Sequence, residues 1–434
     1  MKRKDWIIKI KNELDSMAGF TTEEVHWKKR SIYRVPSTVI ELNKKAYKPD
    51  TASLGPYHHE EDHLKAMEKH KHLALLHFLK RSGKPIEVYV NALAEVVDDL
   101  KDAYDQLDSK WRLGTEEFLK LMILDGCFIL EIMRTCTSAL NDYDPNDPIF
   151  SEHGTLYIVP YLKRDMLRLE NQLPLLVLEK LVDVDNKKFE HDLFFIQIEE
   201  SIVIKRILNF FGQYRVKNMG KCLHILDIYR KSLLEEPDKN VDHKLHQGED
   251  QIIRSATELN EAGIQIEKSE TKSLKDISFH RGVLKLPPIM VDDTTQSSYL
   301  NLMAFERLHV NAGNEVTSYI FFMDNIIDSA GDVSLLHSSG IIQHAVGSDK
   351  AVAELFNSLS KDVTLDPENR LAKVHNSVSY YCKKPWNAWR ADIMHNYFRN
   401  PWSILSVIAA IFLFALTTIQ TVYSVLSYAN SSSK

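Results

Sequence analysis

The sequence has few cysteines, and their spacing excludes the common cysteine-based sites. Four occur among 434 residues, with no C-x-x-C pair. A disulfide framework or a zinc knuckle needs paired, closely spaced cysteines. Isolated cysteines are instead typical of reduced thiols in a cytosolic protein. We therefore expect four free thiols, at Cys127, Cys136, Cys222 and Cys382.

Closely spaced glycines are also missing. Among the 15 glycines, no two lie two, four or five positions apart. The dinucleotide-binding G-x-G-x-x-G motif, the G-x-S-x-G nucleophile elbow and the Walker phosphate loop need glycines at those spacings, because the backbone there turns sharply or touches phosphate. The sequence therefore excludes the common nucleotide-binding and hydrolase motifs.

Neither sign of charge dominates the chain. Its 54 lysines and arginines are set against 60 acidic residues, for a formal net charge of −6. A nucleic-acid-binding protein usually has a broad basic face, so nucleic acid is not an expected partner. Apolar residues make up 44% and charged residues 26% of the chain, which is typical of a folded globular protein.

The amino-terminal residues are not expected to form a signal peptide. Its longest apolar run, Trp6–Ile8, is far shorter than the roughly 7–15 residues of a signal-peptide core. Residues 1–30 instead begin with the apolar spacing of a short amphipathic helix. Any membrane targeting is therefore expected to come from another part of the chain.

One long apolar run is present near the carboxyl end. Residues 402–423 contain no charged side chain, and eleven of the 22 are Ile, Leu, Val or Phe. As a helix this run is about 33 Å long, against a hydrocarbon core of roughly 30 Å. Trp402 and Tyr423 bracket it, as aromatic residues do at the two membrane interfaces. The sequence therefore predicts one transmembrane helix at 402–423 and a short polar tail at 424–434.

The flanking charges predict the orientation of the large amino-terminal part. Four basic residues precede the apolar run and one follows it: Lys383, Lys384, Arg390, Arg399 and Lys434. By the positive-inside rule, the large part faces the cytosol in a tail-anchored arrangement. The only N-x-[ST] glycosylation site, at Asn430, lies beyond the run and agrees with this orientation. The charges do not distinguish the plasma membrane from an endomembrane.

Helical periodicity dominates the rest of the chain, and clear alternating strands are few. We therefore expect a mainly α fold, with a large helical globular domain followed by the membrane helix. Residues 116–133 are apolar almost all round, which predicts a central buried helix. The polar stretch 235–250 is expected to be an exposed loop between helical parts at 31–234 and 251–400.

One stretch matches a catalytic pattern. His59, Glu60 and His63 satisfy the H-E-x-x-H motif, whose histidines share one helical face and can bind zinc beside a glutamate base. The match lies at the start of a predicted helix, where successive acids are favourable without a metal. Ala66 and Lys69 occupy the glycine and histidine positions of the extended motif. We favour an acidic first turn and keep a zinc hydrolase as an alternative.

A polar cluster separates two apolar segments within residues 167–181. Glu170, Asn171 and Gln172 stand just before Pro174, which ends one predicted helix and can open the next. Their side chains can satisfy the backbone groups that helix ends leave unpaired. A ligand site in this apolar hinge is the alternative, and capping is the favoured interpretation.

Several stretches in order are similar to a known plant family. The matches run from segments 32–36, 46–49 and 53–59 to the final one at 400–402. They include Gly55, Pro56, Tyr57, His58, Asp125, Gly126, Glu170, Asn171, Gln172 and Pro174. On these residues the chain resembles the family known as domain of unknown function 247. Glu60 stands where a glycine often follows the histidine pair in that family, so the H-E-x-x-H match is a feature of this member.

The resemblance implies a plant membrane protein with a carboxy-terminal anchor and no established enzyme activity. Some grass members are associated with self-incompatibility, a cell-recognition process. Together with the missing motifs, this predicts a non-enzymatic single-pass protein that acts through protein–protein contacts in signalling or recognition. We expect no catalytic residues, no metal and no cofactor, and the protein partner is unidentified. The alternative is a recognition determinant whose large domain lies outside the cell.

Overall fold

The computed structural model describes residues 6–8, 10–11, 27, 29–137, 142–186, 201–213, 219–236, 254–361, 370–393 and 401–431. Within these ranges helices predominate and five short strands occur, so the predicted mainly α class is confirmed. Most of the predicted amphipathic segment at 1–30, and all but the first two residues of the polar loop at 235–250, fall outside the described residues.

The part of the body before residue 237 is built from helices joined by irregular segments. The helices are α1 (Ser37–Leu42), α2 (Lys44–Tyr47), α3 (Lys65–Ser82), α4 (Ile86–Ala94), α5 (Val97–Asp102), α6 (Ser109–Leu113), α7 (Thr115–Thr137), α8 (Glu152–Tyr157), α9 (Val159–Met166), α10 (Leu175–Asn186), α11 (Ile202–Phe210) and α12 (Ile225–Leu233). A short 3-10 helix, Asp62–Leu64, precedes α3.

The part after residue 253 adds two small sheets to further helices. Its elements are α13 (Ala256–Glu261), β1 (Gln265–Lys268), β2 (Ser278–His280), β3 (Val283–Leu286), β4 (Ile289–Val291), α14 (Thr295–Leu308), α15 (Glu315–Ile326), α16 (Ala330–Ser338), β5 (Ile342–His344), α17 (Asp349–Leu359), α18 (Arg370–Cys382), α19 (Pro385–Ile393) and α20 (Pro401–Ser431). In one sheet β3 pairs with β1 in parallel and with β2 antiparallel. In the other, β4 and β5 are parallel.

The helix α7 is the centre of the first part because its side chains are apolar on nearly every face. Phe118, Phe128 and Ile132 are fully buried, and α3, α4 and α10 pack around them. The buried helix predicted at 116–133 is thereby confirmed. Gly126 allows α10 to approach closely, since a Cβ at this position would lie 2.5 Å from Leu181 Cδ1.

The two parts share one continuous cluster of buried apolar residues. Asn301, on α14, also joins them through its buried amide. Its Oδ1 accepts a hydrogen bond from the Leu169 N–H at 2.9 Å, and its Nδ2 donates to the Ala46 carbonyl at 2.8 Å. The described body is therefore packed around a common core. Within it, Asn301 joins the backbone of Ala46, in α2, to that of Leu169, just after α9.

Candidate functional site

An irregular segment, residues 50–58, passes through the interior of the first part. Ala52, Ser53 and Leu54 are almost completely buried. Buried peptide groups need hydrogen-bond partners, and this segment has no helix or sheet to supply them. Four side chains do so instead, and we name them the polar clamp: Lys71, Asp125, Asp165 and Asn171.

Asp165, in the last turn of α9, holds the start of the segment. Its carboxylate oxygens accept hydrogen bonds from the backbone N–H groups of Asp50, Thr51 and Ala52 at 3.0, 2.6 and 2.9 Å. Burial raises the pKa of Asp165, and the three N–H donors and the Arg168 guanidinium, 3.3 Å away, oppose that shift. One side chain thus satisfies three consecutive backbone donors.

Asn171 holds the next residues with both ends of its amide. Its Oδ1 accepts from the Leu54 N–H at 2.6 Å. Its Nδ2 donates to the carbonyls of Ala52 and Asp165, each at 3.0 Å. The side chain is fully buried. Its three hydrogen bonds connect the segment to the last turn of α9.

Lys71 and Asp125 form a buried ion pair, and the Lys71 ammonium also lies 2.7 Å from Glu68, whose side chain is 26% exposed. Both side chains are 0% exposed, and Nζ lies 2.7 Å from Oδ1. Lys71 also donates to the Ser53 carbonyl at 2.6 Å, and the other Asp125 oxygen accepts from the Gly55 N–H at 2.8 Å. Burial raises the pKa of Asp125, and the Lys71 ammonium opposes the shift. The pair connects α3, α7 and the segment.

The family-like residues Gly55, Pro56 and Tyr57 complete the segment. Gly55 has a φ of +78°, and a Cβ there would lie 2.8 Å from the Gln172 carbonyl oxygen, so both conformation and space require glycine. The Tyr57 hydroxyl donates to the Ile32 carbonyl at 3.2 Å. These residues therefore have structural contacts in the interior.

His58 and Glu170 meet at the end of the segment. His58 is buried, with Nδ1 2.6 Å from Glu61 Oε1 and Nε2 3.3 Å from Glu170 Oε2. Glu170 also accepts a hydrogen bond from the Val35 N–H at 2.6 Å. The two side chains thus link the segment to the extended backbone that precedes α1.

Gln172 bonds to two helix ends. Its Nε2 donates to the carbonyls of Met166 and Arg168 at 2.6 and 2.7 Å, and its Oε1 accepts from the Leu226 N–H at 3.0 Å. The first contacts serve the end of α9, and the last serves the start of α12. The helix α10 begins directly after Pro174. These are the capping contacts that the interruption of the apolar pattern favours.

The residues of the H-E-x-x-H match do not converge. The predicted helix start at these positions is wrong: His59 and Glu60 lie in a turn, and α3 begins only after His63. His59 packs edge-on against Trp111, with ring centroids 5.5 Å apart, and Glu60 pairs with Lys110. The side chain of His63 is 52% exposed. The shared helical face that zinc binding by this motif requires is not formed.

Another histidine pair lies near a carboxylate. Side-chain ligand atoms of His337, His344 and Asp349 lie within 4.8 Å of one another, and among the described residues this is the only group with such spacing. His344 Nε2 is 2.8 Å from Asp349 Oδ1, and His337 is exposed. Asp349 opens α17, where an acid is favourable at the positive helix end. An ordinary histidine–carboxylate contact therefore accounts for the arrangement.

Two cavities open in the body. One, of about 370 Å³, lies between α1, α2 and α14, and the other, of about 760 Å³, lies beside α12 and β4. Their described linings contain no histidine or cysteine, the residue types most used as general base and nucleophile. The cavities therefore offer room but no serine–histidine or cysteine–histidine pair.

A buried histidine caps α12. His224 Nδ1 accepts from the Asp227 N–H at 3.2 Å, and its Nε2 lies 3.0 Å from the Ser31 carbonyl oxygen. Because Nδ1 accepts, Nε2 carries the proton and donates it to Ser31, so the ring is neutral. Burial lowers the pKa of His224 to about 4.

The free energy of unfolding is expected to fall between pH 7 and pH 5 because of His224. The unfolded ring binds a proton near pH 6.5, whereas the buried ring remains neutral down to about pH 4. The unfolded state then binds more protons, and stability falls by about 2 kcal/mol by pH 5. His224→Asn retains a cap acceptor without titrating. Urea denaturation at both pH values is expected to show the wild type losing about 2 kcal/mol more than the variant, and equal losses would contradict a neutral buried ring.

The helix α20 differs from every element of the body in its exposure. Its stretch Ile408–Leu426 is apolar and unburied, and it is the only described helix long and apolar enough to cross a membrane. Phe414 is 77% exposed. The hydroxyls of Thr417 and Thr418 each donate to the carbonyl four residues earlier, at 2.8 Å. Trp402 and Tyr423, the predicted boundary residues, both lie within α20.

Lys71 and Asp165 are not singled out by the sequence analysis. A signal for Lys71 exists, because it lies four residues after Met67 and four before Leu75, both on the inward side of α3. A charged residue on an apolar face indicates a buried partner. Asp165 has no comparable signal, since it occupies the last turn of a short helix.

Comparison with known proteins places the chain in a family. The family model described as "Plant protein of unknown function" matches residues 32–416. UPF0481 protein At3g47200 of Arabidopsis thaliana is 32% identical over 422 residues, which cover 92% of this chain and 87% of that protein. A second Arabidopsis thaliana protein of this name group, At3g02645, is 22% identical over 510 residues, covering 96% and 93%. No solved structure matches the chain. The chain therefore belongs to the plant family known as domain of unknown function 247.

Proposed function

We propose that the protein is a single-pass membrane protein without enzymatic activity, whose helical body acts through contacts with other proteins in signalling or recognition. The observation that carries this proposal is the exposed apolar surface of α20, along Ile408–Leu426. Continuous apolar surface of this extent is unfavourable in water. Insertion into a hydrocarbon core removes it from water.

The dimensions and chemistry of α20 support insertion. Its 31 residues rise about 46 Å, enough to cross a hydrocarbon core of roughly 30 Å. The eleven large apolar residues of 402–423 contribute roughly −3 to −6 kcal/mol to insertion. The threonine hydroxyls bond within the helix, which lowers the cost of placing them in lipid.

The interior of the body supports a non-enzymatic role. The charged and amide side chains of the polar clamp are all engaged with backbone groups or with each other. The described cavity linings contain neither histidine nor cysteine. We therefore expect the body to act through the proteins that bind its surface rather than through a chemical reaction. We propose that it faces the cytosol, because basic residues precede α20.

Fractionation of plant cells tests the anchor and its orientation. The full-length protein is expected to remain in the membrane pellet after washing at alkaline pH and to be released by detergent. Protease added to intact vesicles with the cytosolic side outward is expected to digest the body. Recovery in the supernatant without detergent would contradict the proposal. A protected body would instead support the recognition determinant with its large domain outside the cell.

Proximity labelling tests the second half of the proposal. A labelling enzyme fused to the amino terminus of the full chain is expected to mark a reproducible set of proteins. The matched control carries the same enzyme on residues 401–434 alone, so that it samples the same membrane without the body. Identical label patterns from the two fusions would contradict a role in specific protein contacts.

A further inference from the structure

The helix α19, which precedes the membrane helix, has two different sides. Arg390 is exposed, and its side chain reaches over Gly263 next to α13, where a Cβ would lie 2.7 Å from Arg390 Nη1. On one side Ala391 is 7% exposed. This side packs on the body. On the other side Trp386 and Trp389 are 71% and 56% exposed, with ring centroids 5.2 Å apart.

The paired indoles are an unusual surface for a soluble helix. Tryptophan is the largest apolar side chain, and two adjacent exposed rings indicate a surface that something covers. Each ring also carries an N–H donor, so the rings suit an environment that is apolar at one end and wet at the other. The headgroup region of a bilayer has this character.

Basic residues lie directly before the indole pair. Lys383 and Lys384 are exposed just after α18, and Lys384 Nζ lies 5.6 Å from the ring centroid of Tyr380. Tyr380 is itself 54% exposed. Lysines beside aromatic rings are the combination that binds an anionic lipid surface, because the cations meet the headgroups and the rings enter the interface.

The position in the chain keeps this surface near the bilayer. Ile393 ends α19 and Pro401 begins α20, so eight peptide links join them and span at most about 29 Å. Whatever path the connection takes, the end of α19 at Ile393 remains within that distance of Pro401, where α20 begins. A lipid surface is therefore the partner that is always within reach.

We infer that Trp386, Trp389, Lys383 and Lys384 form a lipid-binding face that docks on the headgroup region of the membrane crossed by α20, with a preference for anionic lipids. This inference rests on the proposed membrane anchoring and deepens it. Docking fixes the body against the bilayer, so that one side of the body is presented to partners and the other is covered by lipid.

Fluorescence quenching in nanodiscs tests the indole part. The full-length wild type and the variant W386F/W389F are reconstituted with lipids brominated close to the headgroup, and the difference between their spectra isolates the indole pair. This difference signal is expected to be quenched by the brominated lipids and protected from acrylamide in the water. A signal quenched by acrylamide alone, or protected from both quenchers as under a protein partner, would overturn the inference.

Lipid charge tests the lysine part. Each lysine near an anionic surface contributes about 1 kcal/mol to binding. K383Q/K384Q is therefore expected to lower the equilibrium constant between the docked and the undocked face roughly 30-fold in anionic nanodiscs. The substitution is expected to have little effect in neutral nanodiscs. K65Q/K69Q removes two exposed lysines from α3 and serves as the matched control. An equal effect of the two double variants would overturn the anionic preference.

The alkaline wash and the quenching experiment together separate this inference from the proposed function. If the protein resists alkaline washing while the indole pair is in water, the anchor stands and the lipid-binding face is overturned. If alkaline washing releases the protein, both fail. Cooperative urea denaturation of W386F/W389F at the wild-type midpoint establishes that the variant is folded.

Discussion

Replacing Leu413 and Leu416 by arginine is expected to move the protein from the membrane pellet to the soluble fraction. Each arginine at the centre of a membrane helix costs about 2.5–3.5 kcal/mol, and each lost leucine removes about 0.5 kcal/mol of favourable insertion. The double variant therefore loses roughly 6–8 kcal/mol, which exceeds the roughly 3–6 kcal/mol that the apolar residues contribute. The measurement is the distribution of full-length protein between pellet and supernatant after alkaline washing.

The body offers a matched control for this experiment. Leu113 and Leu156 are 83% and 65% exposed, so the same pair of leucine-to-arginine changes alters charge and composition equally without affecting α20. L113R/L156R is expected to stay in the pellet. If L413R/L416R also stays there, the protein is held to membranes by something other than α20.

Asp125→Ala is expected to lower the free energy of unfolding by about 3 kcal/mol, because a charged hydrogen bond is lost and a buried donor is left unpaired. The substitution leaves the Lys71 ammonium, which is 0% exposed, with Glu68 as its remaining carboxylate partner at 2.7 Å. It also removes the acceptor of the Gly55 N–H. A single domain has only roughly 5–15 kcal/mol in total, so this loss is large. Urea denaturation of the full chain in mild detergent measures it.

Asp62→Ala is the matched control for the buried pair. Asp62 and Lys65 are also an aspartate–lysine pair, with Nζ and Oδ1 2.6 Å apart, but their side chains are 93% and 61% exposed. Water and salt screen such a pair, so its removal is expected to leave the denaturation midpoint unchanged. Equal midpoints for Asp125→Ala and Asp62→Ala would contradict the clamp as a source of stability.

The sequence predicts those elements whose signals are local. The charge-free run at 402–423 and the apolar helix at 116–133 each carry their evidence within about 20 residues, because helix formation and burial follow from side-chain periodicity. Both occur in the structure, within α20 and α7. The capping role of Gln172 is also suggested locally, since the interruption before Pro174 marks two helix ends.

The polar clamp depends on information that is not local. Nothing near Asp165 in the sequence indicates that its carboxylate accepts from a backbone segment more than a hundred positions earlier. The H-E-x-x-H match shows the opposite case, in which a local pattern indicates a site that the fold does not assemble. A contact between His58 and Glu61 holds the turn there, and α3 begins later.

The polar clamp also affects the timing of folding during synthesis. Asp165 and Asn171 follow the backbone groups of the segment that they bind by 113 to 119 positions. At a translation rate of about 5–20 residues per second, those backbone groups are made roughly 6–24 s before Asp165 and Asn171. During that interval its peptide groups are left to water or to a chaperone. Slower codons between positions 60 and 160 would lengthen the exposure of the nascent chain without changing any residue.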